Sequence, residues 1–299
     1  MATIAFFHAH PDDEAIATGG TMAALSDAGH RVVLVTATRG ELGEIPDGLL
    51  SQGETLADRR LAELTEACRV LGVARQIYLD YLDSGMAGEA TNQRPGSFAA
   101  ADIDEAAGAL AGILSHEAAD VLVTYDEHGG YGHPDHVQVH RVGMRAAELA
   151  ATPVIYMATM NRDFMRGLAD RVESSEWEPP EGSTDGMDTM GEPADRLTTE
   201  IDVTRWLGRK RDAMRAHASQ ISETSFFLSM PPDVFSTVWG QEWYIRVRPP
   251  RDRDATGPWE TTLLLEGSES VGADDRGGIN VGSVGAPGVG GKHADGGEP

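Results

Sequence analysis

Two short runs hold most of the residues able to do chemistry in this chain of 299. They are His8-Ala9-His10-Pro11-Asp12-Asp13-Glu14 and Tyr131-Gly132-His133-Pro134-Asp135-His136. Neighbouring carboxylates raise each other's pKa, so the Asp12–Asp13 pair is costly to keep ionised. A helix amino terminus offsets about 0.3–1 kcal/mol of that cost, and a bound divalent cation offsets far more. Together the runs offer two histidines and one carboxylate with coordination positions left open, which fits a catalytic zinc. The same set fits a non-haem iron triad or a metal-binding module without catalysis. From the residues alone, Asp12 and Asp13 are equal candidates for the carboxylate ligand.

Two clusters 120 residues apart are useful only if the fold brings them together. The first half of the chain alternates apolar runs with amphipathic ones: strands over Thr3–Phe7, Arg31–Ala37, Gln76–Leu82, Val121–Thr124 and Val154–Thr159, and helices over Ala15–Ala28, Leu56–Leu71, Ile103–His116 and Val137–Ala150. That alternation predicts an α/β, Rossmann-like fold with a mostly parallel sheet flanked by helices. Ligands of such sheets bind beyond the carboxyl ends of the strands. The first cluster follows strand one and the second follows strand four, which commonly adjoin. This fold is not the double-stranded β-helix expected of the iron chemistry. The later part is less regular, with a helix over Arg205–Ile221, a strand over Glu242–Val247 and an acidic, Pro- and Gly-rich loop over Glu173–Asp195. Gly267–Pro299 carries 11 glycines in 33 residues and no aromatic residue, so a domain over 1–250 and a disordered tail over 251–299 are expected.

Composition narrows the partners. Lys and Arg number 24 against 48 Asp and Glu, a formal charge of −24, which disfavours nucleic acid and anionic membrane surfaces. Cys68 is the single cysteine, so neither an internal disulfide nor a cysteine-based zinc knuckle forms. The first ten residues lack the basic and apolar regions of a signal peptide, and no run approaches the roughly 20 apolar residues that span a bilayer. A cytoplasmic protein with a small-molecule substrate is the expectation.

The HAHPDDE and GYGHPDH runs, with RVVLVTATRGELGE, RRLAELTEA, DSGMAG and AHASQI, resemble the LmbE/PIG-L superfamily of zinc-dependent N-deacetylases over about residues 1–250. Within it the mycothiol branch is most similar, comprising deacetylases of N-acetylglucosaminyl-inositol and S-conjugate amidases. The resemblance implies one zinc per chain on His10, Asp13 and His136. It also implies Asp12 as the base acting on a zinc-bound water, and His133 as the group that stabilises the oxyanion and protonates the departing amine. Asp135 would orient and charge-tune His133, Tyr131 would polarise the acetyl carbonyl, and Arg60, Asp83 and Glu44 would contact the sugar.

This chemistry has a consistent physical basis. Amide hydrolysis needs a nucleophile near neutrality, and zinc lowers the pKa of its water to about 7. It needs donors at the developing oxyanion and a proton for the leaving nitrogen. Asp12 and His133 acting in opposite protonation states predict a bell-shaped pH–rate profile. The remaining candidates read as structural: His8, packed or supporting the site, His128 and His140, His217 in its helix although also able to approach the pocket, Cys68 on an apolar helix face, and the aromatic group Phe226, Phe227, Trp239, Trp243 and Tyr244.

Overall fold

The computed structural model describes residues 1–168, 177–180, 186, 189–251 and 259–265. Seven strands form one sheet: β1 Thr3–His8, β2 Arg31–Thr38, β3 Arg75–Tyr81, β4 Val121–Tyr125, β5 Val154–Thr159, β6 Thr199–Asp202 and β7 Gln241–Arg248, in the order β3-β2-β1-β4-β5-β7-β6. The first five pair in parallel, and β7 runs antiparallel to both of its neighbours, β5 and β6. This is the expected α/β architecture with one reversed strand.

The sheet is covered on both faces, and its sequence shows it. In β1 and β2, Ile4, Phe6, Val32 and Leu34 enter one core, while Ala5, Phe7, Val33 and Val35 enter the other. Successive side chains point to opposite faces of a strand, so an unbroken apolar run marks a strand buried on both. Among the described residues the α-helices of five or more residues are α1 Gly19–Asp27, α2 Leu56–Leu71, α3 Ile103–His116, α4 Pro134–Leu149, α5 Arg162–Arg166, α6 Leu207–Ala216 and α7 Pro232–Trp239. Buried side chains of α1, α2, α6 and α7 line the first core, and those of α3 and α4 the second.

Three boundaries depart from the sequence reading in ways that matter for the site. The first helix is split, with a π-helical turn over Glu14–Thr18 ahead of α1. α4 begins at Pro134 with His133 as its N-cap, three residues earlier than expected, so Asp135 and His136 stand on its first turn. α6 ends at Ala216, and His217 follows it in a turn instead of continuing the helix. Strand β6 and helices α5 and α7 carry too few periodic residues to be read in advance. A fully buried ion pair, Lys210 Nζ to Glu242 Oε1 at 2.6 Å, ties α6 to β7. Glu242 also accepts the Gly20 and Thr21 amides at the start of α1.

No helix among the described residues is long and apolar enough to cross a membrane. About half of the acidic loop over 173–195 and most of the tail expected beyond 250 lie outside the described residues.

Candidate metal and catalytic site

The site residues stand on loops that leave the carboxyl ends of four adjacent strands. β1 delivers His10, Asp12 and Asp13, and β4 delivers Tyr131, His133, Asp135 and His136. Asp83 and Ser84 follow β3, and Gly40 and Glu44 lie in the loop after β2. The β1 and β4 ladders pair Phe6 with Val123, which sets the two histidine-bearing loops side by side. The first loop is pinned to the second strand, since the Ala9 carbonyl accepts from both the amide and the hydroxyl of Thr38.

Asp13 lies between two imidazoles, its Oδ2 3.5 Å from His10 Nδ1 and its Oδ1 3.3 Å from His136 Nε2. The other nitrogen of each ring has a protein partner: His10 Nε2 meets Asp135 Oδ2 at 3.1 Å and His136 Nδ1 meets the Gly129 carbonyl at 3.2 Å. These acceptors take the outer ring hydrogens, so the inner nitrogen of each ring is the one that would offer a lone pair to a metal. His136 Nε2 is buried and without a hydrogen-bond partner. Two such lone pairs facing one carboxylate, each ring oriented by an outer acceptor, is the arrangement of metal-ligating histidines. His10, His133 and His136 also offer nitrogens within 4.8 Å of one another. Of Asp13 and His133, only Asp13 approaches both other rings through its carboxylate oxygens. The donor set therefore fits a divalent cation of the zinc type.

Charge is concentrated here. Burial alone would raise the Asp13 pKa, but His136 and His10 outweigh it and hold the carboxyl well below its usual range. Burial would lower His10, but Asp13, Asp135 and Asp83 lift it well above its ordinary value. Asp12 is pushed up to about 6 by burial, with Arg60 opposing and Asp13 adding to the rise. His133 is lowered to about 4 by burial and by the like charges of His10 and His136.

Asp12 has a partner of its own. Its Oδ2 accepts from Arg60 Nη2 at 3.0 Å, and its backbone sits at φ 122°, a strained conformation for a side-chain-bearing residue. Arg60, expected to grip substrate, is only 4% exposed and donates to the carbonyls of Pro11 and Gly40 as well as to Asp12. Its Nη1 and Nη2 donors serve the protein, while its buried Nε has no hydrogen-bond partner. Gly40, at φ 64°, allows that approach, since a Cβ there would collide with the guanidinium.

Asp135 departs from expectation in its hydrogen bonds, although its charge does act on His133, opposing the lowering of that ring's pKa. Its carboxylate accepts from His10 Nε2, from the Ser84 amide at 3.0 Å and from the Ser84 hydroxyl, and does not reach the His133 ring. Residues two apart at a helix start do not face each other. His133 instead receives the backbone N–H of Asp135 on Nδ1 at 3.2 Å, which places the hydrogen of the neutral ring on Nε2. Asp83 is buried with its carboxylate 3.6 Å from His10 Nε2, accepting the Gly85 and Leu42 amides. Glu44 is exposed. It lines a cavity of about 400 Å³ with Pro46, Ser219, Gln220 and Ser222, and Gln220 reaches back to Arg60 at 3.4 Å. Tyr131 is 48% exposed, its ring 4.9 Å from that of His136 and 6.2 Å from that of His133.

Sequence reasoning passed over two participants. Ser84 carried no signal beyond an ordinary turn. Glu14 was read as part of the motif but given no role, and its partner His217 lies 203 residues away.

A parallel sheet with a His-and-carboxylate cluster beyond its strand ends defines a metal-site α/β protein. Residues 5–147 match the PIG-L family, described as GlcNAc-PI de-N-acetylase. A 1D-myo-inositol 2-acetamido-2-deoxy-alpha-D-glucopyranoside deacetylase of Salinispora arenicola is 39% identical over 284 residues, covering 89% of this chain and 92% of its own. This chain belongs to the PIG-L family. Among solved structures, the N,N'-diacetylchitobiose deacetylase of Pyrococcus horikoshii is 21% identical with a TM-score of 0.52, over 82% of this chain and 83% of its own. The 4-carboxy-2-hydroxymuconate hydratase of Pseudomonas putida is 18% identical with a TM-score of 0.53, over 85% and 99%. One fold thus carries both a deacetylase and a hydratase, so the reaction has to be argued from the site.

Proposed function

We propose that this chain hydrolyses the N-acetyl group of an N-acetylglucosamine conjugate of the glucosaminyl-inositol type, releasing acetate and a free amine, in the cytoplasm. The observation that carries the reading is Asp13 set between the His10 and His136 imidazoles, one carboxylate oxygen toward each, with Asp12 next to it in the chain. The substrate class rests on the names of relatives about 39% identical over most of their length. A neutral sugar is also the ligand that a chain of charge −24 least opposes.

His10, Asp13 and His136 are the residues that would hold one zinc per chain. Zinc there would supply a water ionised near pH 7 and a positive charge facing the acyl oxygen. Asp12 accepts the proton of the attacking water. Its elevated pKa brings a carboxylate closer to the working pH, where a base both exists in its charged form and holds a proton usefully. His133 and Tyr131 supply donors to the carbonyl oxygen as it gains charge, through Nε2–H and the phenol.

The division of labour differs from the one expected from sequence. Burial and two neighbouring histidines oppose a second proton on His133, so it acts as a neutral hydrogen-bond donor. The proton collected by Asp12 is then the one available to the departing nitrogen. Asp135 and Ser84 orient His10. Arg60 and Asp83 hold the loops, while Glu44 and Gln220 line the adjoining cavity, where the rest of the conjugate fits.

The test is a panel of N-acetylglucosamine conjugates read by amine release, with a mycothiol S-conjugate alongside. Preferred turnover of N-acetylglucosaminyl-inositol supports the reading. Preferred cleavage of the S-conjugate would make the chain an amidase, and no amine release from any of them would overturn the proposal.

A further inference from the structure

Asp12 holds a strained backbone conformation, at φ 122°, that persists only where its surroundings over-determine it. The surroundings are specific. The Asp12 amide donates to Glu14 Oε2 at 3.0 Å, and its carbonyl accepts the Ala15 and Ile16 amides at 3.0 and 3.2 Å. The second oxygen of Glu14, Oε1, lies 2.6 Å from His217 Nε2. Glu14 and His217 are both 0% exposed.

A carboxylate buried to that degree is expensive without a partner. The partner comes from a turn with two attachments to this end of the sheet. In the turn after α6, the His217 carbonyl accepts the Gln220 and Ile221 amides, which fixes the ring's base. Ser219 anchors the same turn to α2, its amide and hydroxyl donating to Glu63 at 2.9 and 2.6 Å. Gln220 touches Arg60, which holds the Asp12 carboxylate. The 217–220 turn therefore reaches Asp12 by two routes, through Arg60 to its side chain and through Glu14 to its amide.

We infer that Glu14 and His217 are a positioning pair that keeps the strained Asp12 backbone in place and so fixes the direction of its carboxylate toward the attacking water. The inference rests on Asp12 being the base of the proposed reaction. Neither Glu14 nor His217 touches substrate; both act through Asp12. A purely architectural ion pair would stabilise the fold equally well with Asp12 in any conformation. Here the second carboxylate oxygen of Glu14 is spent on the Asp12 amide.

The metal-loaded full chain tests this with two isosteres. The amide nitrogen of Gln sits near the position of His Nε2, and that of Asn near Nδ1, so H217Q keeps the donor to Glu14 and H217N loses it. H217N is expected to lose about 10- to 100-fold in kcat, as misplacement of a catalytic group does. Its KM and bound metal should stay at wild-type values, and H217Q should recover most of kcat. In a D12N background H217N should cause no further loss, because the pair has nothing left to position. Independently of turnover, the Asp12 amide should exchange with deuterium faster in H217N than in H217Q. Equal kcat in folded H217N and H217Q would overturn the inference. So would a full additional loss in the D12N background, or a loss that follows metal content. Wild-type kcat in D12N alone would overturn the base assignment instead, and amide exchange would still decide whether the pair braces Asp12.

Discussion

Asp12 and Asp13 are adjacent, chemically identical and set apart entirely by what surrounds them. Asp13 lies between two imidazoles and is held ionised, while Asp12 is buried against one guanidinium and pushed up to about 6. D12N should therefore lose about 10²- to 10⁴-fold in kcat, the worth of a general base, and keep its metal. D13N should lose the metal itself, and metal analysis of the two purified variants separates the roles. The pH profile follows from the same contrast. The base works only when ionised, so kcat/KM should fall as pH drops through about 6. Metal charge beside Asp13 moves that limb lower, never higher. Removing the Arg60 cation, which opposes the rise, moves it upward, so R60M should show its acid limb at higher pH than wild type. An acid limb unmoved in R60M would argue that another group sets it. No alkaline limb is expected from His133, whose neutral ring is already the working form.

The elements explain what could be read from the chain in advance. Parallel strands buried on both faces announce themselves as RVVLVTA-like runs, and loops beyond their ends are where ligands bind. So the sheet, its first five strands and the two HPD clusters were legible. Links that depend on distant partners were not. Glu14 meets His217 across 203 residues, and no local pattern encodes that pairing. The resemblance implied that Asp135 orients and charge-tunes His133; its charge does raise the His133 pKa, but the first turn of α4 aims its carboxylate at His10 and Ser84. Strand β6 is four residues long, too short for its alternation to register. Ser84, after β3, thus becomes the element-scale test. S84A removes the hydroxyl bonded to Asp135, which orients His10, and should weaken metal affinity by about 10- to 100-fold. Competition with a chelator measures it, and unchanged affinity would place Ser84 outside the metal site's support.

At the scale of the whole molecule the −24 charge is an energetic load. Self-repulsion of that size destabilises the compact state, and salt relieves it as the Debye length shrinks from about 30 Å at 0.01 M to about 8 Å at 0.15 M. Exposed ion pairs such as Arg69–Glu66 weaken under the same screening but are individually worth little. The melting temperature should therefore rise with sodium chloride over that range, and a fall would mean that ion pairs dominate. The strand order has another consequence. Every proposed metal ligand precedes residue 137, but β7, made last, inserts between β5 and β6, and β6 finds its ladder partner only then. On the ribosome, residues 199–202 must wait for about forty more residues before they can pair. The half of the protein that carries the proposed metal ligands is thus synthesised first. The His217 turn that steadies Asp12 comes second, and the strand that closes the sheet comes last.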